Sequence, residues 1–173
     1  QMEKLGFIEG KIKTCFTDAK ELLPIGLEEA IFEVKTNPGE PFKPLYKTAS
    51  GGEISRIMLS MKTVLSSKDL IPTLIFDEID TGIGGKLALE VAEAMQNLGK
   101  NHQVLAISHL HQIASNANNH YLVFKETAFG RTTTKIKKLS REERILEISR
   151  MLGGESDIVK KHAEEMLSHL DKL

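Results

Sequence analysis

The segment Thr73-Leu74-Ile75-Phe76-Asp77-Glu78 constrains this chain more than any other. Residues suited to a buried strand run straight into two adjacent carboxylates. An ionised carboxylate is not left inside a sheet, because desolvation without a partner outweighs what packing returns. The pair therefore belongs at the strand's exit, where open α/β sheets bind their ligands. There the first carboxylate is placed to hold Mg²⁺, a hard cation that takes oxygen ligands. The second is placed to orient and deprotonate a water. An Asp-Glu turn after an ordinary strand uses the same residues, so the segment alone leaves both readings open.

Its neighbours sharpen the choice. Ala49-Ser50-Gly51-Gly52-Glu53 stands directly before a helical stripe of Ile54, Ile57, Met58, Met61, Val64 and Leu65. Ser50 and Glu53 have the spacing of a capping box. Two glycines in a first turn cost about 1 kcal/mol each against alanine. Capping does not explain that cost, whereas close approach of a phosphate to free N–H groups and the helix dipole does. Asp80-Thr81-Gly82-Ile83-Gly84-Gly85 follows the carboxylates as a loop into a second helix, marked by Leu87, Val91, Met95 and Leu98 with Gly99 as its stop. Val104 to Ile107 reads as another buried strand, and Ser108-His109-Leu110-His111-Gln112 stands at its end. His109 there is placed to reach a ligand on the neighbouring strand; a capping or structural histidine is the alternative.

Elsewhere the patterning is plainer. Phe7 to Phe16 reads as an imperfect strand broken by Gly10, and Ala30 to Val34 as a short one, so the first residues fold back as β-structure. Buried strands at Ile71–Phe76, Val104–Ile107 and Tyr121–Phe124 alternate with helices, which predicts a mainly parallel central sheet with right-handed crossovers. Arg131 to Leu139 alternates like an edge strand, and helices at Glu142–Leu152 and about Asp157–Leu170 close the chain. Leu152-Gly153-Gly154-Glu155-Ser156 imitates the first glycine motif but follows a helix with no carboxylate strand after it. It reads as a C-cap, then the N-cap of the last helix at Ser156. At 173 residues the expectation is a single α/β domain, with 1–48 as a β-rich entry segment and 49–173 as the lobe that carries the motifs.

Composition removes several classes. With 40% hydrophobic and 27% charged residues the chain is not mainly disordered. Its formal charge of -1 gives no global field for nucleic acid. A local run of Arg131, Lys135, Lys137, Lys138, Arg141 and Arg144 has Lys135 and Lys137 on one strand face, fit to meet phosphates or to guard a sheet edge. One cysteine, Cys15, excludes a disulfide scaffold. No apolar run approaches the ~18 residues of a membrane span, and no signal peptide opens the chain. A cytosolic protein, or a piece of one, is expected.

The order of these features resembles the carboxyl-terminal half of an ATP-binding-cassette ATPase head. The resemblance makes Ser50, Gly51, Gly52 and Glu53 the signature motif, Asp77 and Glu78 the Walker B pair, Asp80 the D-loop residue and His109 the switch histidine. A finer likeness is to the RecN family, the SMC-like bacterial DNA repair ATPases. Asn37-Pro38-Gly39-Glu40, Ala49 to Arg56, Phe76 to Gly82, Gln112 and Glu147 to Gly154 look like that family's own forms. The departures are Ser108 for the family's usual Thr, His111 for Pro, and Gly84 for Ser.

No G-x-x-x-x-G-K-[ST] loop occurs in the chain, so nothing in it cradles the α- and β-phosphates. The resemblance implies that this loop lies in an amino-terminal half-head joined through a coiled coil. ATP and Mg²⁺ would then be held only with that half, a second head would meet the signature motif across ATP, and DNA would be the further partner. Catalysis would fall to Glu78 and His109, with Asp77 on Mg²⁺, in a cytoplasmic protein of double-strand-break repair and recombination. Two other classes stand beside this. A hydrolase could use Asp77, Glu78, His109 and His111 on Zn²⁺ or Mn²⁺, which leaves the glycine pair unexplained. A non-catalytic head-like interaction module is the other.

Overall fold

The computed structural model describes residues 1–24, 26–48, 50–154 and 156–168. Ala49, Glu155 and Leu170, on which the expected lobe boundary, the second glycine motif and the end of the last helix bear, lie outside the described residues. The chain divides into two compact units, 1–107 and 108–173, each described by itself.

In the first unit, a one-turn 3-10 helix (Glu3–Leu5) precedes an antiparallel sheet of β1 (Lys11–Leu23), β2 (Gly26–Lys35) and β3 (Lys43–Pro44). β1 begins after Gly10 and runs through Thr17 to Leu23, beyond the expected end at Phe16, because β2 pairs with it residue for residue from Lys11↔Lys35 to Asp18↔Glu28. Within this hairpin the Cys15 thiol donates to Glu33 Oε2 at 3.2 Å. That bond, then burial, holds the thiol's pKa above its usual value.

After α1 (Leu45–Thr48) come α2 (Gly51–Leu65), β4 (Thr73–Phe76), α3 (Gly85–Leu98) and β5 (Gln103–Ala106). β4 and β5 are parallel in the register Thr73↔Gln103 to Phe76↔Ala106, so β4–α3–β5 is the expected crossover unit. Its core gathers Ile57, Leu59, Leu74, Phe76, Ile79, Val91, Met95 and Leu98, with ~1.5–3 kcal/mol contributed by each fully buried large side chain. The link from α2 to β4 is held by Asp69, which pairs with Lys62 and accepts from Ile71 N at 3.1 Å.

Three expectations change here. The stripe of α2 is rotated: Gly52, Arg56, Ile57, Leu59 and Ser60 are buried, while Val64 and Leu65 are exposed. β4 and β5 bury one face, not two; Leu74 and Phe76 are inside, whereas Ile75, Leu105 and Ile107 are 70%, 45% and 63% exposed. Gly99 caps α3 in right-handed geometry (φ -63°), so no left-handed stop is used.

The second unit holds α4 (His111–Ser115), β6 (Tyr121–Ala128), β7 (Arg131–Lys138), α5 (Arg141–Met151) and α6 (Asp157–Ser168). β6 does not extend a parallel series. It pairs antiparallel with β7 from Tyr121↔Lys138 to Ala128↔Arg131, through a two-residue turn at Phe129-Gly130 where both φ angles are positive. That turn brings β7 back alongside β6, and Tyr121 and Val123, expected in a buried strand, are exposed. The α/β class holds, but parallel pairing among the described residues is confined to β4 and β5. α5 starts with a capping box of Ser140 and Glu143. It ends at left-handed Gly153, after which Ser156 Oγ accepts from Val159 N at the head of α6. Arg144 reaches back from α5 to the carbonyl of Ala117 at 2.6 Å, tying the end of α4 to α5.

Candidate functional site

The site in the first unit is built from the start of α2 and the loop after β4. Ser50 is extended, its Oγ accepts from Glu53 N at 3.4 Å, and Glu53 Oε2 accepts from Ser50 N at 3.0 Å, which completes the expected capping box. At the other side, Phe76 is buried and the chain leaves β4 with Asp77 and Glu78 exposed. Ile79 and Asp80 then turn inward and are buried, so that with Phe76 the loop is anchored on both sides of the carboxylates' exit. Asp77 Oδ1 accepts from Glu78 N at 2.9 Å. Thr81 N donates to Glu78 O at 3.0 Å and Ile83 N to Asp80 O at 3.3 Å, closing the loop as consecutive turns.

Glu78 has φ +56°. A non-glycine residue in that region costs about 1–3 kcal/mol and persists only where its surroundings dictate it. Those surroundings are α2. A β-carbon at Gly52 would lie 2.8 Å from Glu78 O and 2.9 Å from Thr81 Cβ; one at Gly51 would lie 2.1 Å from Glu78 Oε2. Gly52 is thus required by the backbone of the chain's own loop, whereas at Gly51 the obstacle is the end of the Glu78 side chain. Ser55 Oγ donates to Asp77 O at 2.7 Å. Arg56 Nη1 donates to Thr81 O at 3.0 Å and Ile79 O at 3.4 Å. One turn of α2 therefore binds the carbonyls of residues 77, 79 and 81.

Of the residues singled out in the sequence, the structure brings together Ser50, Gly51, Gly52 and Glu53 with Asp77, Glu78 and Asp80. His109 belongs to the second unit, between β5 and α4, where Leu110 N donates to Ser108 Oγ at 3.0 Å. His111 opens α4 and is half-buried; burial and then His162 hold its pKa below the usual value. Ser55 and Arg56 were missed as site residues. The signal was a charged residue directly beside Ile57, on a helix whose apolar stripe is too sparse to fill its buried face.

The donor set fits Mg²⁺, which is commonly held through one or two carboxylates plus substrate phosphates. Asp77 offers an exposed hard oxygen at the strand exit, and Glu78 stands beside it. A zinc or manganese hydrolase needs three or more converging ligands, and among the described residues no three of His, Cys, Asp or Glu converge. Of the two readings of the basic run on β7, the sheet-edge guard is the one favoured, since its lysines are matched within their own unit: Lys135 pairs with Glu126, and Lys137 with Glu143. No helix of the described residues is long and apolar enough to cross a membrane.

No protein-family model matches the chain. It is 44% identical over 96% of its length to DNA repair protein RecN of Halalkalibacterium halodurans, covering 30% of that protein. It is 43% identical over 88% of its length to the RecN of Bacillus subtilis, covering 27% of it. The match to the RecN of Treponema pallidum is 47% over 83% of the chain and 26% of the relative. The chain thus spans less than a third of these relatives' length. Among solved structures, the Smc head domain of Pyrococcus yayanosii, with its coiled coil and joint, aligns with a TM-score of 0.59 at 20% identity, over 86% of this chain and 27% of that one. The Smc head of Pyrococcus furiosus, bound to the C-terminal domain of ScpA, aligns with a TM-score of 0.54 at 22% identity, over 86% and 35%. At these identities the likeness is one of fold.

Proposed function

The chain belongs to the RecN family of DNA repair proteins over the length it spans, and on that premise we propose that it is the carboxyl-terminal lobe of an SMC-like ATPase head. The observation that carries the proposal is the clamp between α2 and the loop after β4. It joins a helix start suited to an anion to a carboxylate pair suited to Mg²⁺ and water, at the hydrogen bond from Ser55 Oγ to Asp77 O (2.7 Å). Bound Mg-ATP supplies the polarised γ-phosphate.

The chain's own residues divide the remaining work. Asp77 gives a hard oxygen to the cation. Glu78 orients the attacking water and takes its proton. Ser50, Gly51 and Gly52, with Glu53 holding the cap, present the N-terminus of α2 to a γ-phosphate held by a second head. Asp80 borders that junction, and His109 supports the γ-phosphate of its own head.

Two observations support an amino-terminal half-head as partner. The chain has no phosphate-cradling loop of its own. The β4–β5 sheet also leaves Ile75 and its register partner Leu105 open on one face, as a sheet does when it awaits a covering layer. A coiled coil joining the halves, a cytoplasmic location and action on DNA breaks and in recombination are proposed from the relatives, which are DNA repair proteins by name. The test is an ATPase assay of this chain alone and of the complete protein with its amino-terminal half. Turnover only in the complete protein is the expected result. Turnover by the lone chain, or none in either, overturns the proposal.

A further inference from the structure

Arg56 is the least expected residue in the interior of the first unit. It is 8% exposed and sits on the buried face of α2 between Gly52 and Ser60. Its Nη1 spans Ile79 O and Thr81 O, the carbonyls on either side of Asp80, while Nε is buried without a partner. The guanidinium also lies 5.8 Å from the centre of the Phe7 ring. Burial holds its pKa below the usual value, with Glu53 opposing.

Burying a guanidinium with one nitrogen unsatisfied is expensive. An apolar residue of similar length would fill the same space at lower cost, so packing alone does not account for Arg56. What an apolar residue lacks is the pair of N–H donors that Nη1 gives to two carbonyls at once. Those carbonyls belong to the loop that shapes Glu78, whose left-handed backbone needs support from outside itself.

We infer that Arg56 is a positioning residue for ATP hydrolysis. Its guanidinium locks the 77–81 loop to α2 and so fixes where Glu78 presents its carboxylate to water. It touches neither nucleotide nor metal. Because Gly51 and Gly52 open the same helix about one turn earlier, Arg56 also makes the helix start and the carboxylate loop one rigid piece. This rests on the ATPase proposal above.

The test uses the complete protein with Arg56→Met, which keeps length and removes every donor, and Arg56→Gln, which keeps one amide donor group. ATP affinity of a single head should stay at the wild-type value in both. Turnover should fall ~10- to 100-fold in the Met variant, the scale set by small misplacements of a catalytic group, and less in the Gln variant. Hydrogen exchange without nucleotide should quicken at the Thr81 and Ile83 amides and stay unchanged in β4. Near-wild-type turnover in either variant, affinity falling in step with turnover, or unchanged exchange at Thr81 and Ile83 overturns the inference. If the Met variant does not fold, the Gln variant decides on the same criteria. If the wild-type protein lacks ATPase activity, it is the ATPase proposal that fails, and the exchange result still decides whether Arg56 is the clamp.

Discussion

Gly51 lies so close to Glu78 that a β-carbon on it would stand 2.1 Å from Glu78 Oε2. The glycine of the helix start and the second carboxylate of the strand exit are therefore packed against each other within one chain. A side chain at position 51 would therefore displace the Glu78 carboxylate. At Gly52 the neighbours are different in kind: backbone carbonyls of Glu78 and Thr81, and Thr81 Cβ.

The difference separates two alanine substitutions. At Gly51 the obstacle is the far end of a flexible side chain, and alanine returns about 1 kcal/mol of helix propensity. Gly51→Ala should leave the stability of the chain nearly unchanged and move the Glu78 carboxylate. At Gly52 the obstacle is backbone, so Gly52→Ala should destabilise by about 1–3 kcal/mol, the usual cost of overpacking. Urea unfolding of the two variants measures this, and equal losses would refute the distinction.

Asp77 and Glu78 should fail differently. In the complete protein, Glu78→Gln keeps the side chain's shape against Gly51 but cannot take a proton, which typically costs ~10²–10⁴-fold in rate while leaving ground-state binding in place. It should bind ATP normally and accumulate as ATP-bridged paired heads. Asp77→Asn should weaken Mg-dependent binding, and paired heads should not accumulate. Turnover, nucleotide binding and size-exclusion profiles check both; pairs trapped by Asp77→Asn with Glu78→Gln still turning over would reverse the roles.

Ser50 carries a local and a distant task. Ser50→Ala should cost about 0.5–2 kcal/mol through loss of the cap. Ser50→Arg in the complete protein should in addition block ATP-dependent head pairing while a single head still binds ATP. Loss of ATP binding by a single head would place Ser50 in its own head's pocket instead.

Acid should weaken the second unit through His120. Its ring is half-buried with Nδ1 unpartnered, and burial, then Arg144, hold its pKa below the usual value against the pull of Glu147. The neutral ring is the folded form, so its contribution is complete above about pH 6.5, the ordinary histidine value, and is lost as pH falls through the lowered folded pKa. His111 shifts in the same direction. Unfolding midpoints across about pH 7.5 to 5.5, about one unit either side of the ordinary value, should drop for the wild type and drop less for His120→Gln. An identical drop in both would remove His120 from the account.

The sequence alone determined what is decided within a turn or two of chain. Ser50 with Glu53 forms its box because donor and acceptor are three residues apart. Ser156 heads α6 for the same kind of reason. The carboxylates leave the end of β4 because an ionised pair cannot stay between its apolar neighbours. Family likeness was legible there too, since those short motifs carry it.

Tertiary structure decided whatever depends on a distant partner. β1 extends through Asp18 because β2 offers it a ladder. β6 turns antiparallel because β7 competes for its edge, a choice that periodicity cannot express. The buried face of α2 centres on Arg56 and Ser60, not on Met61 and Val64, because the loop after β4 presents carbonyls to it. Buried carbonyls must be met by donors, and that requirement, set by residues more than 20 positions away, outweighed the hydrophobicity of the helix itself.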